Sequence, residues 1–425
     1  MDTTPFHLIL LALDVVVFLG LLLWIRFRRN TASGLPTVYH FEKSLFAPVT
    51  VRRPSLIWDI TGVVLFGGFW FVCFAVFVRF IRTGFAQERI YHFNVGQCIV
   101  EGIAIHGTLI LIFVASLLYW NRRRVLALFS GCCALFLAAF SFNVLYWEPY
   151  HVKVEFYEIK TSKITKPLRI VFVADIQTDR IGFHEINTLK KIQQQNADLI
   201  ILGGDYIQTF ADTREKHLPE KFRQMLLDYP LEAPLGVYAV AGNIGGHAGA
   251  KDADLFRDTS VKFVGNTVVF DALGADEGWD PPIDLVLLRL EHSRGGLGKR
   301  GLTDSGHFIV MAGHYPNYAI DGYTTTTGNV LSGYKNAERA PDLMLAGHTH
   351  GGQIVLPFYG TISGVGGGTV VEQMPRNMMG GFFPYSNGGH LLVTRGSGLE
   401  RGWAPRVRLF CRSEISVIDI VPESR

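Results

Sequence analysis

Apolar positions run almost unbroken through parts of the first 150 residues and come in short bursts after residue 151. Four long apolar stretches fill the first part, at about residues 6–25, 57–78, 99–120 and 125–147. Each is close to the ~20 residues that a helix needs to cross a bilayer. Trp24, Trp120 and Trp147 close three of them, where interfacial aromatics belong. The first stretch is too long, and its basic flank lies on the wrong side, for a cleaved signal peptide. The pattern predicts a four-helix transmembrane region over residues 1–150 and a separate domain over residues 151–425.

In the second part a loosely alternating strand is expected over residues 152–158. Buried, β-branched runs follow at 168–175, 197–205, 236–243 and 308–314, and a fifth at 343–346. Helical spacing of apolar positions appears at 183–195 and 221–227. Strands alternating with helices predict a layered α/β domain, and such domains bind ligands beyond the carboxyl ends of their strands.

Charge adds an orientation. Residues 1–150 hold 12 Lys+Arg against 7 Asp+Glu, which leaves 28 against 30 for the rest of the chain. The C-terminal part is near neutral, which argues against a nucleic-acid-binding surface there. The loop after the first apolar stretch and the turn 121–124 carry nine Lys+Arg together, and the second loop carries three. The positive-inside rule then puts both termini, and the C-terminal domain, outside the cytoplasm of a multi-pass membrane protein. Overall hydrophobic content is 48% because of the apolar stretches alone. Of five cysteines only Cys411 lies in the second part, so no disulfide is expected within it. Asp14, Glu101 and His106 fall in or near the apolar stretches, and helix packing is their simplest reading.

The chemistry lies where the strands stop. The five buried runs end on Asp175, Asp205, Asn243, His314 and the pair His348/His350. In extended backbone, residues two apart point to one side, so His348 and His350 can face one point. Oxygen and imidazole donors together suit Mn, Fe, Zn or Ni better than calcium. A carboxylate such as Asp205 can bridge two ions.

This order of motifs resembles the calcineurin-like metallophosphoesterase superfamily, whose pattern is Asp-x-His, Gly-Asp, Gly-Asn-His-Asp/Glu, a later His and Gly-His-x-His. The phrases Glu232–Val240, Gly347–Gln353 and Val393–Gly396 are similar to its membrane-anchored bacterial branch. The resemblance implies a four-layer α/β/β/α sandwich and hydrolysis of a phosphomono- or diester by metal-activated water. It implies two divalent ions. Asp205, Asn243, His314 and His348 would hold one, and Asp175, Gln177, Asp205 and His350 the other. Two positions depart from the pattern. Gln177 replaces the histidine of Asp-x-His and could offer only an amide oxygen. Ile244 replaces the histidine that contacts the phosphoryl group, and His247 is the candidate to supply an acid in its place. The expected partners are the membrane and a phosphoester, lipid-linked on the reading that tethering selects the substrate. The alternative is a weakly active or inactive metal-binding module that serves as a sensor or scaffold.

Overall fold

The computed structural model describes residues 102–208, 217–244, 250–265, 269–274, 282–291, 306–319, 341–361, 378–384, 389–400 and 405–423, with residue 100 and scattered helical residues between 19 and 68. The chain forms two compact units, residues 1–142 and 143–425. In the first, a π-helical turn, Ile103–Gly107, leads into α1, Thr108–Trp120, and a tight turn leads to α2, Arg124–Phe142. Arg122 takes the left-handed conformation at φ 59°. The Asn121 amide donates to Leu117 O at 2.6 Å and caps α1. Ser130 Oγ donates to Leu111 O at 2.8 Å, pinning α2 to α1. Among the described residues, two helical stretches are long and apolar enough to cross a membrane, Ile103–Trp120 and Arg124–Tyr150. They correspond to the third and fourth apolar runs. Most of the first two runs, with Asp14 and Glu101, lies outside the described residues, and His106 is buried.

The second unit is built on two six-stranded sheets. Its strands are β1 Lys153–Thr161, β2 Leu168–Val173, β3 Leu199–Leu202, β4 Val237–Val240, β5 Val261–Val264, β6 Val269–Leu273 and β7 Ile283–Leu287. They continue as β8 Phe308–Ala312, β9 Leu343–Ala346, β10 Val355–Leu356, β11 Gly360–Thr361, β12 Gly381–Pro384, β13 His390–Val393 and β14 Glu414–Pro422. The first sheet has the order β1-β14-β2-β3-β4-β5 and the second β12-β13-β9-β8-β7-β6; β10 and β11 make a separate hairpin. Strands β2 to β5 run parallel, as do β7, β8, β9 and β13. The five ligand-tipped runs are thus β2, β3 and β4 of one sheet and β8 and β9 of the other.

Side-chain alternation, two residues to a repeat, decides what each face meets. Phe172, Ile201 and Tyr238 of the first sheet share one buried cluster with Leu285, Val310 and Leu345 of the second, so the sheets pack face to face. The other face of the first sheet, with Val171, Ile200 and Ala239, is covered by α3 Phe183–Gln193, α4 Leu218–Asp228 and α5 Ala250–Phe256. Helix α3 starts where Glu185 Oε2 accepts from the Gly182 N–H at 2.9 Å. On the outer face of the second sheet, Val286, Met311 and Met344 pack on Tyr318 and Ala319 of a 3-10 turn. Among the described residues, two sheets pack on each other and helices cover the outer face of the first.

The strand ends leave little room. At Gly204, φ is +96° and a Cβ would stand 2.7 Å from His314 Nδ1 and 2.9 Å from Gly242 Cα. Gly204→Ala therefore combines a left-handed backbone with a clash against backbone and a fixed ring. The expected loss is about 1–3 kcal/mol of stability, read by denaturant unfolding of the purified chain. An unchanged midpoint would mean that the turn relaxes freely.

Candidate metal centre

Six of the seven residues singled out as ligands are buried to 3% exposure or less, and Asn243 is half-buried. Asp175 and Gln177 follow β2, Asp205 follows β3, Asn243 follows β4, His314 follows β8, and His348 and His350 follow β9. All lie where the two sheets meet. Asp175, Gln177, Asp205, His348 and His350 have φ of 54°, 36°, 56°, 70° and 49°. Left-handed backbone at non-glycine residues costs on the order of 1–3 kcal/mol each and persists only where the surroundings hold it.

Those surroundings can be named. The His348 N–H donates to both Asp175 oxygens, at 3.1 and 2.9 Å, and so joins the second sheet to the first. The Asp175 N–H reaches Gly204 O at 3.0 Å, and Asp175 O accepts from Gly398 at 2.8 Å. The Ile244 N–H donates to Asp205 Oδ1 at 2.7 Å. Ile244 thus anchors the carboxylate through its backbone, while its side chain brings no proton to the site. At Gly242 a Cβ would overlap Asp205 itself, which explains the glycine there.

Four donors converge. Asn243 Oδ1 lies 2.6 Å from His314 Nε2 and 2.8 Å from His348 Nδ1. His314 Nε2 is 3.2 Å from Asp205 Oδ2. One donor atom each from Asp205, His314 and His348 lies within 4.8 Å of the others. The second set is looser. His350 Nε2 stands 3.9 Å from Asp175 Oδ1. The Gln177 amide donates to Asp205 Oδ2 at 3.0 Å and to Glu400 Oε2 at 3.3 Å. Its nitrogen thus faces two carboxylates, and its oxygen is left buried with no hydrogen-bond partner among the described residues. Both ring nitrogens of His350 are likewise buried without one. A buried polar atom left unsatisfied costs about 1–3 kcal/mol. Carboxylates, imidazoles and orphaned acceptors gathered at one place fit a divalent cation.

The electrostatics agree. Burial, and then repulsion from Asp205, raise the Asp175 carboxyl far above the usual range. Burial also opposes ionisation of Asp205, but His314 outweighs it and holds that carboxyl low. His314 in turn is raised to about 9: burial lowers it, and the Asp205 charge and hydrogen bond overcome that. Burial and then the Arg408 cation keep His350 neutral, as a ligand must be.

Several supports escaped the sequence. Arg408 is fully buried and donates to the carbonyls of Arg395, Gly398 and Cys411 at 2.7, 2.6 and 2.9 Å. It ties the loop after β13 to the segment before β14. Glu400 accepts from Gln177 and from Gln208, the latter at 2.9 Å. Arg395 binds the buried Glu414 at 2.6 Å, a structural ion pair. Cys411 is a free thiol. His247 lies outside the described residues.

Metal must displace the His314 proton, since only the neutral ring ligates. His314 is raised to about 9, so below that pH the metal-free ring is charged. Affinity for Mn or Zn should therefore climb as pH rises from 6 and level off near 9, with about a tenfold gain per unit for each proton released. Calorimetry in buffers of different ionisation enthalpy counts those protons. Affinity independent of pH would contradict the protonated His314.

A family model described as calcineurin-like phosphoesterase matches residues 168–352. An uncharacterized metallophosphoesterase of Campylobacter jejuni is 25% identical over 283 residues, 63% of this chain and 63% of that protein's own length. The uncharacterized metallophosphoesterase YkuE of Bacillus subtilis is 28% identical over 286 residues, 65% of this chain and 87% of YkuE. The phosphodiesterase YaeI of Escherichia coli is 24% identical over 257 residues, 60% of this chain and 83% of YaeI. The matched segment begins at β2 and ends just past His350, so it encloses all seven ligand candidates. Over residues 168–352 the chain thus matches the calcineurin-like phosphoesterase family, as its motifs implied.

Proposed function

We propose that the chain is a membrane-anchored phosphoesterase whose metal centre lies where its two sheets meet. The convergence of Asp205, Asn243, His314 and His348, beside the orphaned acceptors of Gln177 and His350, carries this reading. Asp205, Asn243, His314 and His348 would hold one divalent ion; Asp175, Gln177, Asp205 and His350 would hold a second, weaker one. Such ions, when bound, lower the pKa of water and offset charge on phosphoryl oxygens. The chain's own part is to orient. Ile244 N–H and the Gln177 amide fix the Asp205 carboxylate from two sides, and Arg408 fixes the loops that carry His350. The Escherichia coli relative is named a phosphodiesterase, which favours a diester.

The membrane part of the reading rests on the helices. Val125, Leu128, Phe129, Leu135 and Phe136 of α2 are 68–80% exposed, more contiguous apolar surface than water-facing helices carry. With the apolar runs 6–25 and 57–78 this supports four spans. Loop charge supports an extracytoplasmic C-terminal domain, under a four-layer sandwich whose last layer is helical. A substrate held in or on the bilayer, such as a lipid-linked phosphodiester, is the class that tethering selects. Gln177 and Ile244 favour one rival, a weakly active module that binds a phosphorylated ligand.

Two experiments bear on this. A reporter fused after Arg425 should be active only outside the cytoplasm; a cytoplasmic signal would reverse the topology and leave the chemistry intact. Leaving-group dependence tests the chemistry. General-acid help is worth roughly 10²–10⁴-fold, and the Ile244 side chain supplies none. A bis-nitrophenyl phosphate should be cleaved readily and an alkyl diester poorly. His247→Ala should depress the alkyl reaction far more than the aryl one if His247 is the acid. No turnover of either by the fully metallated chain would favour the binding module.

A further inference from the structure

The second unit carries an apolar rim that no part of the proposed chemistry uses. On the β10–β11 hairpin, Leu356, Phe358 and Tyr359 are 38%, 111% and 56% exposed, and Phe410 beside it is 61% exposed. Phe358 sits at the hairpin tip with φ 66°, and its side chain is fully exposed. Phe410 is placed next to the hairpin by a bridge between Ile354 and Leu409, with the Val355 N–H on Leu409 O at 2.9 Å. Four large side chains exposed on two adjoining turns make an apolar patch of the kind that marks an interaction surface, and a hairpin tip offers little shape to a folded protein.

The chain itself indicates the partner. Residues 143–150, in the same compact unit, are the last turns of the apolar helical stretch Arg124–Tyr150. The Arg408 N–H donates to Val144 O at 3.1 Å, Cys411 N–H to Glu148 Oε2 at 3.1 Å, and Ser413 Oγ to Pro149 O at 2.7 Å. Phe410 is thereby bracketed by residues bonded to those turns. Trp147 and Tyr150 there are 43% and 36% exposed, and Trp and Tyr at the end of a span mark headgroup depth. Phe183, 85% exposed, precedes His184, whose ring meets Tyr150 edge-on at 5.4 Å.

We propose that Leu356, Phe358, Tyr359 and Phe410 seat in the headgroup layer of the bilayer that holds the Arg124–Tyr150 helix. The inference rests on the membrane-anchored reading and deepens it. The hairpin begins five residues after His350, so the turn that carries this candidate ligand is tied to the seated rim. The site then takes phosphoesters from the headgroup layer in preference to water-soluble ones.

The test uses the full chain in lipid nanodiscs, with the photo-crosslinking residue p-benzoylphenylalanine replacing Phe358, Phe410, Phe136 or Lys160 in turn. Phe136 lies on α2 and reports the span itself. Lys160, 67% exposed at its side chain, lies near the far end of β1 from Lys153, whose N–H bonds Ser413 O. Seven residues of strand put it about 23 Å along the sheet. Several-fold more lipid adduct at 358 and 410 than at 160 is expected, with strong adduct at 136. Adduct at 136 and none at 358 and 410, or equal adduct at 358 and 160, overturns the rim. So does a product of twice the chain mass at 358, which would make this face a contact between copies. No adduct at 136 removes the membrane anchor, and the rim proposal with it.

Discussion

Two carboxylates, Asp175 and Asp205, are buried within 1% exposure where the sheets meet. Like charges removed from water repel and are costly unless neutralised. The local structure answers that constraint. His314 sits between them, 3.2 Å from Asp205 and 4.0 Å from Asp175. Backbone N–H groups of His348 and Ile244 and the Gln177 amide supply further positive dipoles. Behind them Arg408 brings a full cation into the loops. In the metal-free protein protons and dipoles do what a divalent ion does better. A site that keeps the Asp175 carboxyl protonated and the Asp205 carboxylate ionised against His314 is thereby prepared for a cation.

The same constraint explains the strained backbone. Ligands at successive strand ends reach one point only if the chain turns sharply after each strand. Left-handed turns at Asp175, Gln177, Asp205, His348 and His350 do this. Their strain is held by hydrogen bonds that cross between the sheets, so the site and the sheet pairing stabilise each other. A change at one strand end should be felt at the others.

Much of this was legible because burial and chemistry coincide at the strand ends. The run Leu343–Ala346 is apolar throughout, stops at a glycine and is followed by two histidines; its strand has those bounds. β5, β6 and β7 were not legible. They are four or five residues long, and β5 has Lys262 and a partly exposed Phe263 between its buried ends. β14 joins β1 to β2 across more than 240 residues of sequence, a pairing no local pattern encodes. Glu400, Gln208 and Arg408 were missed for a related reason. Each is a single polar residue in irregular chain, and only the fold shows what it touches. The departures Gln177 and Ile244 were visible at once. Their consequences needed coordinates: one turns its amide nitrogen to Asp205 and the other acts through its N–H.

The central claim is that the four donors after β3, β4, β8 and β9 hold one ion between the sheets. X-ray absorption at the metal edge of the purified, Mn- or Zn-loaded chain tests it most directly. With one ion per chain, a shell of oxygen and nitrogen donors containing two imidazoles is predicted. His348→Ala should remove one imidazole, and His350→Ala should leave both. A shell with sulfur, or one that loses an imidazole in His350→Ala and keeps both in His348→Ala, would contradict the account.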